Sequence, residues 1–364
     1  MPMLRDRRMI LLAGGGLMIA ASTPAQAAPS FDAAVSTKAH DARARKTYPS
    51  LAAALAAAPT TGEKAFRILV TAGTWREQLL IDKPNIHLEG EGQAASIVVF
   101  NQHAAARRSG EIATVTVTAP GFEARRLTIA NDFDYPGNMP AEVPYDRTGA
   151  SGAQALALRL SHGSDKAWLD EVALTGWQDT LYAEAGRSLY TNCFISGCVD
   201  FIYGAGVAVF EHCEIRSRTR PGKDFHGFIA APNTNRHQRF GLVFLDCRLT
   251  RDADMPDHTM ALGRPWRASK TFADGRYGDP DAVGHAAFIR CWMDRHIVPQ
   301  GWYPMHYNLR DGRRTMYQPE DARLFEYSSK GPGAGRASKV RRMLSPKEAS
   351  AYRPALMLGG WSPR

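Results

Sequence analysis

Two short acidic phrases stand 21 residues apart in the apolar stretch GWQDTLYAEAGRSLYTNCFISGCVDFIYG: "QDT", which carries Asp179, and "VDF", which carries Asp200. A carboxylate inside a core is costly unless it is paired or put to chemical use. If 21 residues make one structural repeat, the two carboxyl groups face each other. Two like charges that close cannot both ionise easily, so one group is pushed to keep its proton. The product is a carboxylic acid beside a carboxylate. Such a pair suits a retaining glycosidase, whose carboxyl groups stand about 5 Å apart. It equally suits an ester hydrolase, with one carboxylate as nucleophile and the other as acid/base. The neighbours favour the second chemistry. Gln178 precedes Asp179, and Gln154 lies 24 residues before Gln178 in "SGAQALAL". Two amide donors can hold a tetrahedral oxyanion, which acyl transfer needs and an oxocarbenium ion does not. No GxSxG motif occurs, which disfavours a serine hydrolase. No CxxC pair occurs, and His226, His237, His258 and His285 lack metal-ligand spacing, so neither metal nor cofactor is expected.

The elements that must position these residues show as a periodic pattern: an apolar residue, another three later, and a third two after that. The triplets are Ala124, Leu127, Ile129; Leu169, Val172, Leu174; Tyr190, Cys193, Ile195; Phe210, Cys213, Ile215; Phe244, Cys247, Leu249; and Phe288, Cys291, Met293. Their successive offsets are 45, 21, 20, 34 and 44. Read as a unit of 20 to 22 residues, the offsets of 44 and 45 are two units each, and 34 is one unit plus a loop. Short strands at this spacing, divided by Gly, Asn and Asp turns, predict an all-β chain wound as a parallel β-helix, with a sandwich or propeller as the alternative. Asp179 lies five residues after Leu174, and Asp200 five after Ile195, so both occupy one position on adjacent coils about 4.8 Å apart. Arg220 has the same offset from Ile215. The same stacking places Cys193 beside Cys213 and predicts a disulfide between them, with Cys247 as the rival partner. Two short helices are expected to cap the ends of the solenoid: one in "YPSLAAALAAAP" with Ser50 as N-cap, and one in "SPKEASAYRP" with a Ser345–Glu348 capping box.

With 44% hydrophobic and 22% charged residues in 364, the chain is that of a folded globular protein. Its N-terminus has a basic segment, MPMLRDRR, an apolar segment, MILLAGGGLMIAAS, and an A-x-A site in "TPAQA". Residues 1–27 therefore read as a signal peptide, with Arg7-Arg8 as a possible twin-arginine element, and the protein is expected in the periplasm or outside the cell. Residues 28–45 read as an N-terminal lead-in and 46–364 as one catalytic domain. Losing the leader removes three arginines and Asp6, which takes the net charge from +9 to +7. That surface suits nucleic acid, anionic lipid or an acidic polysaccharide, and charge alone does not choose among them. No run of five Lys/Arg occurs, so no nucleic-acid partner is expected, and no later stretch of 18 apolar residues calls for a membrane. A monomer is expected.

The phrases "GTWREQLLI", "QALAL", "QDTLY", "GCVDFIYG", "ALGRPW", "PQGW" and "GPGAG" follow one another between Thr47 and Trp361. In that order the set resembles the pectin methylesterase family, and "NDFDYPGN" and "FADGRYGDP" look like its bacterial secreted branch. The resemblance implies a right-handed parallel β-helix, a metal-free mechanism and methylated pectin as substrate. It implies Asp200 as nucleophile, Asp179 as acid/base, Gln178 as oxyanion donor with Gln154 in support, and Arg264 of "LGRPW" as the group that orients Asp200. It further implies substrate contacts from Trp266, Tyr203 and Met305, with Arg220 meeting a galacturonate carboxylate. Ser109 stands near the place of a family threonine, and Cys198 stands where a threonine is usual. The competing readings are a lyase or glycosidase on the same fold, an esterase or thioesterase of another acyl substrate, and a non-catalytic carbohydrate-binding β-helix.

Overall fold

The computed structural model describes residues 31–106, 112–138 and 152–363. The chain coils through three parallel sheets of twelve, eight and seven strands, and two antiparallel hairpins stand apart from them. One turn of the coil shows the plan. Ala167–Asp170 lies in the largest sheet, Ala173–Thr175 in the second and Leu181–Ala183 in the third. The next turn repeats it with Arg187–Thr191, Phe194–Gly197 and Val199–Gly204. Each strand pairs in parallel with its counterpart one coil away, for example Tyr190 with Phe210 and Ile195 with Ile215. This is the expected parallel β-helix.

The six apolar triplets line its interior, every member 0–2% exposed. Their three-then-two rhythm has a backbone cause. The residue just before each middle member turns a sharp corner in the left-handed region: Arg126, Glu171, Asn192, His212, Asp246 and Arg290 have φ of 50–56°. That corner swings the chain from the first sheet into the second and keeps both flanking apolar side chains inside. Along the first sheet the rings of Tyr190, Phe210, Phe244 and Phe288 stack at 4.5, 4.7 and 4.4 Å.

Three sequence expectations need correction. The offsets of 45 and 44 are each a single coil with an insertion, because Ala124 pairs directly with Leu169, and Phe244 with Phe288. Parallel pairing fixes the strand residues, and the surplus leaves as loops; in the second case it forms the hairpin of Ser269–Phe272 and Gly275–Gly278. Second, Cys193 and Cys213 stack as expected but form no disulfide; both thiols are free and buried. Cys193 donates to the carbonyls of Leu169 and Thr191 at 3.5 and 3.4 Å, and Cys213 to those of Tyr190 and Glu211 at 3.4 and 3.5 Å. In an in-register parallel stack the Cβ atoms keep the strand spacing of about 4.8 Å, wider than the roughly 3.5–4.5 Å a disulfide needs.

The third concerns the helices. Leu51–Ala56 behaves as expected: Ser50 Oγ accepts from Ala53 N, and Leu51, Ala54 and Leu55 join the interior cluster of the first coils. Two side chains from the neighbouring coil complete it. Glu77 accepts from Leu51 N and Ala52 N at 2.8 and 2.9 Å, and Lys83 donates to the carbonyls of Leu55, Ala56 and Ala58, each charge matching its end of the helix dipole. The C-terminal helix Pro346–Ala349 has its Ser345–Glu348 capping box. It lies with Pro354–Met357 on the outward face of the largest sheet, where Ala349, Tyr352 and Met357 meet Val209, Val243 and Ala287. That outer face is apolar and needs a cover. The lead-in region contributes a strand of its own, Phe31–Val35, which pairs with Phe66–Val70. Residues 1–27 lie outside the described residues.

Candidate active site

The third sheet carries the site. Leu181 pairs with Ile202 and Tyr182 with Tyr203, so counting back two residues sets Asp179 beside Asp200. The N–H of Asp179 donates to Val199 O at 3.0 Å, which ties the two segments together at that point. Both aspartates have positive φ, 64° and 47°. The ladder also shifts register between Val199 and Ile202 against the next strand, where the partners are Phe228 and Ala230. Asp200 therefore sits on a bulge. Bulges of this kind re-aim a side chain, and here the device turns the carboxylate outward from a strand whose neighbours are buried.

Arg264 follows the strand Met260–Gly263, its N–H held by Ala230 O at 2.9 Å. Its guanidinium grips Asp200 as a fork, Nε to Oδ1 at 2.9 Å and Nη2 to Oδ2 at 2.6 Å. Arg264 is 3% and Asp200 7% exposed. A charge-assisted bidentate pair out of water fixes the carboxylate in one orientation. Asp179 has the opposite environment. Burial first, and the charge of Asp200 second, push its carboxyl well above the usual carboxylate range; Arg264 and hydrogen bonds from Tyr203 and Gln178 pull less strongly the other way. Two carboxyl groups stand side by side in unlike environments.

A cavity of about 200 Å³ opens over this pair. Gln154, Gln178, Asp179, Asp200, Tyr203, Arg264, Trp266 and Met305 line it. Gln178 is 5% exposed, and its backbone carbonyl accepts from Ala155 N, which sets it next to the Gln154 coil. Tyr203 stacks on Tyr182 at 4.2 Å and meets Trp266 edge-on at 5.6 Å. Burial above all pushes the Tyr203 phenol well upward, so it stays a neutral donor.

Eight of the ten residues proposed from sequence for chemistry or substrate contact thus share one cavity. Arg220 does not join them. It is 4% exposed, its Nη2 donates to Phe225 O at 2.5 Å, and it neighbours Tyr135 and Cys198 behind the site. Its equal offset misled because the chain leaves the coil after Ser217 and re-enters at Gly227, so Phe228 takes the place beside Val199. Ser109 lies outside the described residues. Sequence reading missed Tyr182, although its one-coil offset from Tyr203 equals that between the aspartates, and Phe228, whose place is hidden by the inserted loop.

Two adjacent carboxyl groups, one gripped by an arginine, with amide donors beside them on the outer wall of a parallel β-helix, fit a carboxylic ester hydrolase. The family model named Pectinesterase matches residues 37–360. Pectinesterase A of Dickeya dadantii is 40% identical over 359 residues, covering 95% of this chain and 96% of that protein. A crystal structure of pectin methylesterase in complex with a hexasaccharide superposes with a TM-score of 0.85 at 39% identity, covering 92% of this chain and 99% of the other. Pectin methylesterase from Yersinia enterocolitica superposes at 0.81 with 39% identity, over 86% of this chain and 100% of its own. The chain belongs to the pectinesterase family.

Proposed function

We propose that this chain demethylates pectin through an aspartyl-enzyme intermediate. Asp200 Oδ attacks the carbonyl carbon of a galacturonate methyl ester. The carbonyl oxygen gains the negative charge and is held by the side-chain amide of Gln178, with that of Gln154 in support. As the tetrahedral species collapses, Asp179 gives its proton to the departing methoxyl oxygen, and methanol leaves. The acyl group is then joined to Asp200 as an anhydride. Asp179, now a carboxylate, takes a proton from water; the hydroxide attacks the acyl carbon, Asp200 is released, and Asp179 is again an acid. Arg264 aims the Asp200 carboxylate for attack and receives it again when the anhydride is hydrolysed. Trp266, Tyr203 and Met305 offer cavity surface for a sugar ring. The observation that carries the reading is the Arg264 fork on Asp200 beside Asp179, whose carboxyl burial and the charge of Asp200 push well above the usual range.

The charge of +9 suits a polyanionic substrate, and the leader-like N-terminus fits export to the periplasm or beyond. All the named groups come from one chain, so a monomer suffices. The test is methanol release from highly methylated pectin by the purified protein, with chain length followed in parallel. Methanol without shortening supports the reading. Shortened chains, or no methanol from pectin together with turnover of another ester, would replace it.

A further inference from the structure

Arg264 has a second contact that the reaction above does not use. Its Cζ lies 4.0 Å from the centre of the Phe228 ring, so the guanidinium rests on a ring face while its edge holds Asp200. Phe228 is 1% exposed. It lies on Gly227–Pro232, paired with Val199 on one side and Ala261 on the other. It therefore springs from the strand between that of Asp200 and the one that leads into Arg264. Two further rings hold it: Phe225 at 5.3 Å and 59°, and Tyr303 at 6.0 Å and 68°. Tyr303 is tied in turn to the Arg264 strand by its N–H on Gly263 O at 3.0 Å.

A bidentate arginine–carboxylate pair is coplanar, and nothing in the pair itself prevents it from tilting as a unit. A ring face under the guanidinium does, because a cation prefers the face of an aromatic ring and a flat cation can stack there over its whole area. The Asp200 peptide lies on a bulge, where the sheet constrains it least, so the carboxylate depends on side-chain contacts for its aim.

We propose that Phe228 is a positioning residue for ester hydrolysis: its ring fixes the plane of Arg264 and, through Arg264, the attack direction of Asp200. The inference rests on Asp200 being the nucleophile. Both substitutions Phe228→Leu and Phe228→Met keep an apolar side chain in the cluster and remove the ring face. The experiment measures kcat and KM for methanol release with each, in the Arg264 protein and in Arg264→Lys, alongside Asp200→Ala and the melting temperature of every variant. The ring variants are expected to lower kcat roughly tenfold with KM within about twofold, and to add little once the planar fork is gone in Arg264→Lys. Equal kcat losses in both backgrounds, or an unchanged kcat, would overturn the proposal while leaving Asp200 its role. An active Asp200→Ala would overturn the underlying reading and this inference with it. If one ring variant does not fold, the other decides; if neither folds, Phe228 is a core residue and the proposal fails.

Discussion

At the residue scale, two chemically identical side chains are driven apart by their surroundings. Asp200 is locked to Arg264, and Asp179 is held protonated by burial and by its neighbour's charge. Asp179→Asn keeps the shape but cannot give a proton to methanol, so methanol release should fall by roughly 10²–10⁴-fold. The same group links stability to pH. Its folded value is raised well above 3.8, so the folded state binds the proton more tightly than the unfolded chain does. Its contribution is fully present below about pH 4 and is lost as pH rises toward the folded value. Thermal melting of wild type and Asp179→Asn should therefore agree near pH 3.5 and diverge by pH 7, with the variant melting higher. Equal melting at both pH values would show that Asp179 is not held in its acid form. Arg264→Lys should lower kcat strongly, since a point charge replaces a fork, and steady-state kinetics would show it. These residues were legible because "QDT", "VDF" and "LGRPW" are short phrases at a one-coil spacing or in a fixed order. Arg220 was misread because an inserted loop breaks the count after Ser217, and no local pattern marks where a chain rejoins its sheet.

At the element scale, the coil works because a left-handed corner recurs between the first and second sheets, filled by Arg126, Glu171, Asn192, His212, Asp246 and Arg290. Residues with a Cβ pay roughly 1–2 kcal/mol for that conformation. Glycine avoids the strain but loses more freedom on folding, about 0.5–1 kcal/mol. At exposed Glu171, with φ of 54°, Glu171→Gly should raise stability by about 0.5–1 kcal/mol, read as a higher denaturant midpoint at unchanged slope. A lower midpoint would mean that the corner is unstrained. The apolar triplets around these corners revealed the sheets in the sequence. They did not reveal that 44 and 45 residues make one coil, because an insertion adds length without altering the triplet.

At the scale of the whole molecule, a buried ion pair closes the C-terminal end of the solenoid. Arg341 donates to Glu326 at 2.8 and 2.5 Å, and the two are 0% and 1% exposed. The same guanidinium reaches Pro299 O at 3.2 Å, which binds the "PQGW" turn to the last coil. Arg341→Ala strands a carboxylate and should cost roughly 3–5 kcal/mol in denaturant unfolding; a loss below about 1 kcal/mol would mean that the end is closed by packing alone. The molecule's charge acts at longer range. With a net positive charge and a polyanionic substrate, KM for pectin should rise with added salt while kcat holds, since screening weakens encounter and not the buried chemistry.

If Asp200 carries the acyl group, folded Asp200→Ala loses the nucleophile, and its initial rate of methanol release from highly methylated pectin is the decisive measurement. No methanol above the uncatalysed background is predicted. A rate near that of the wild type would contradict the account, because every other group in the site is arranged around that carboxylate.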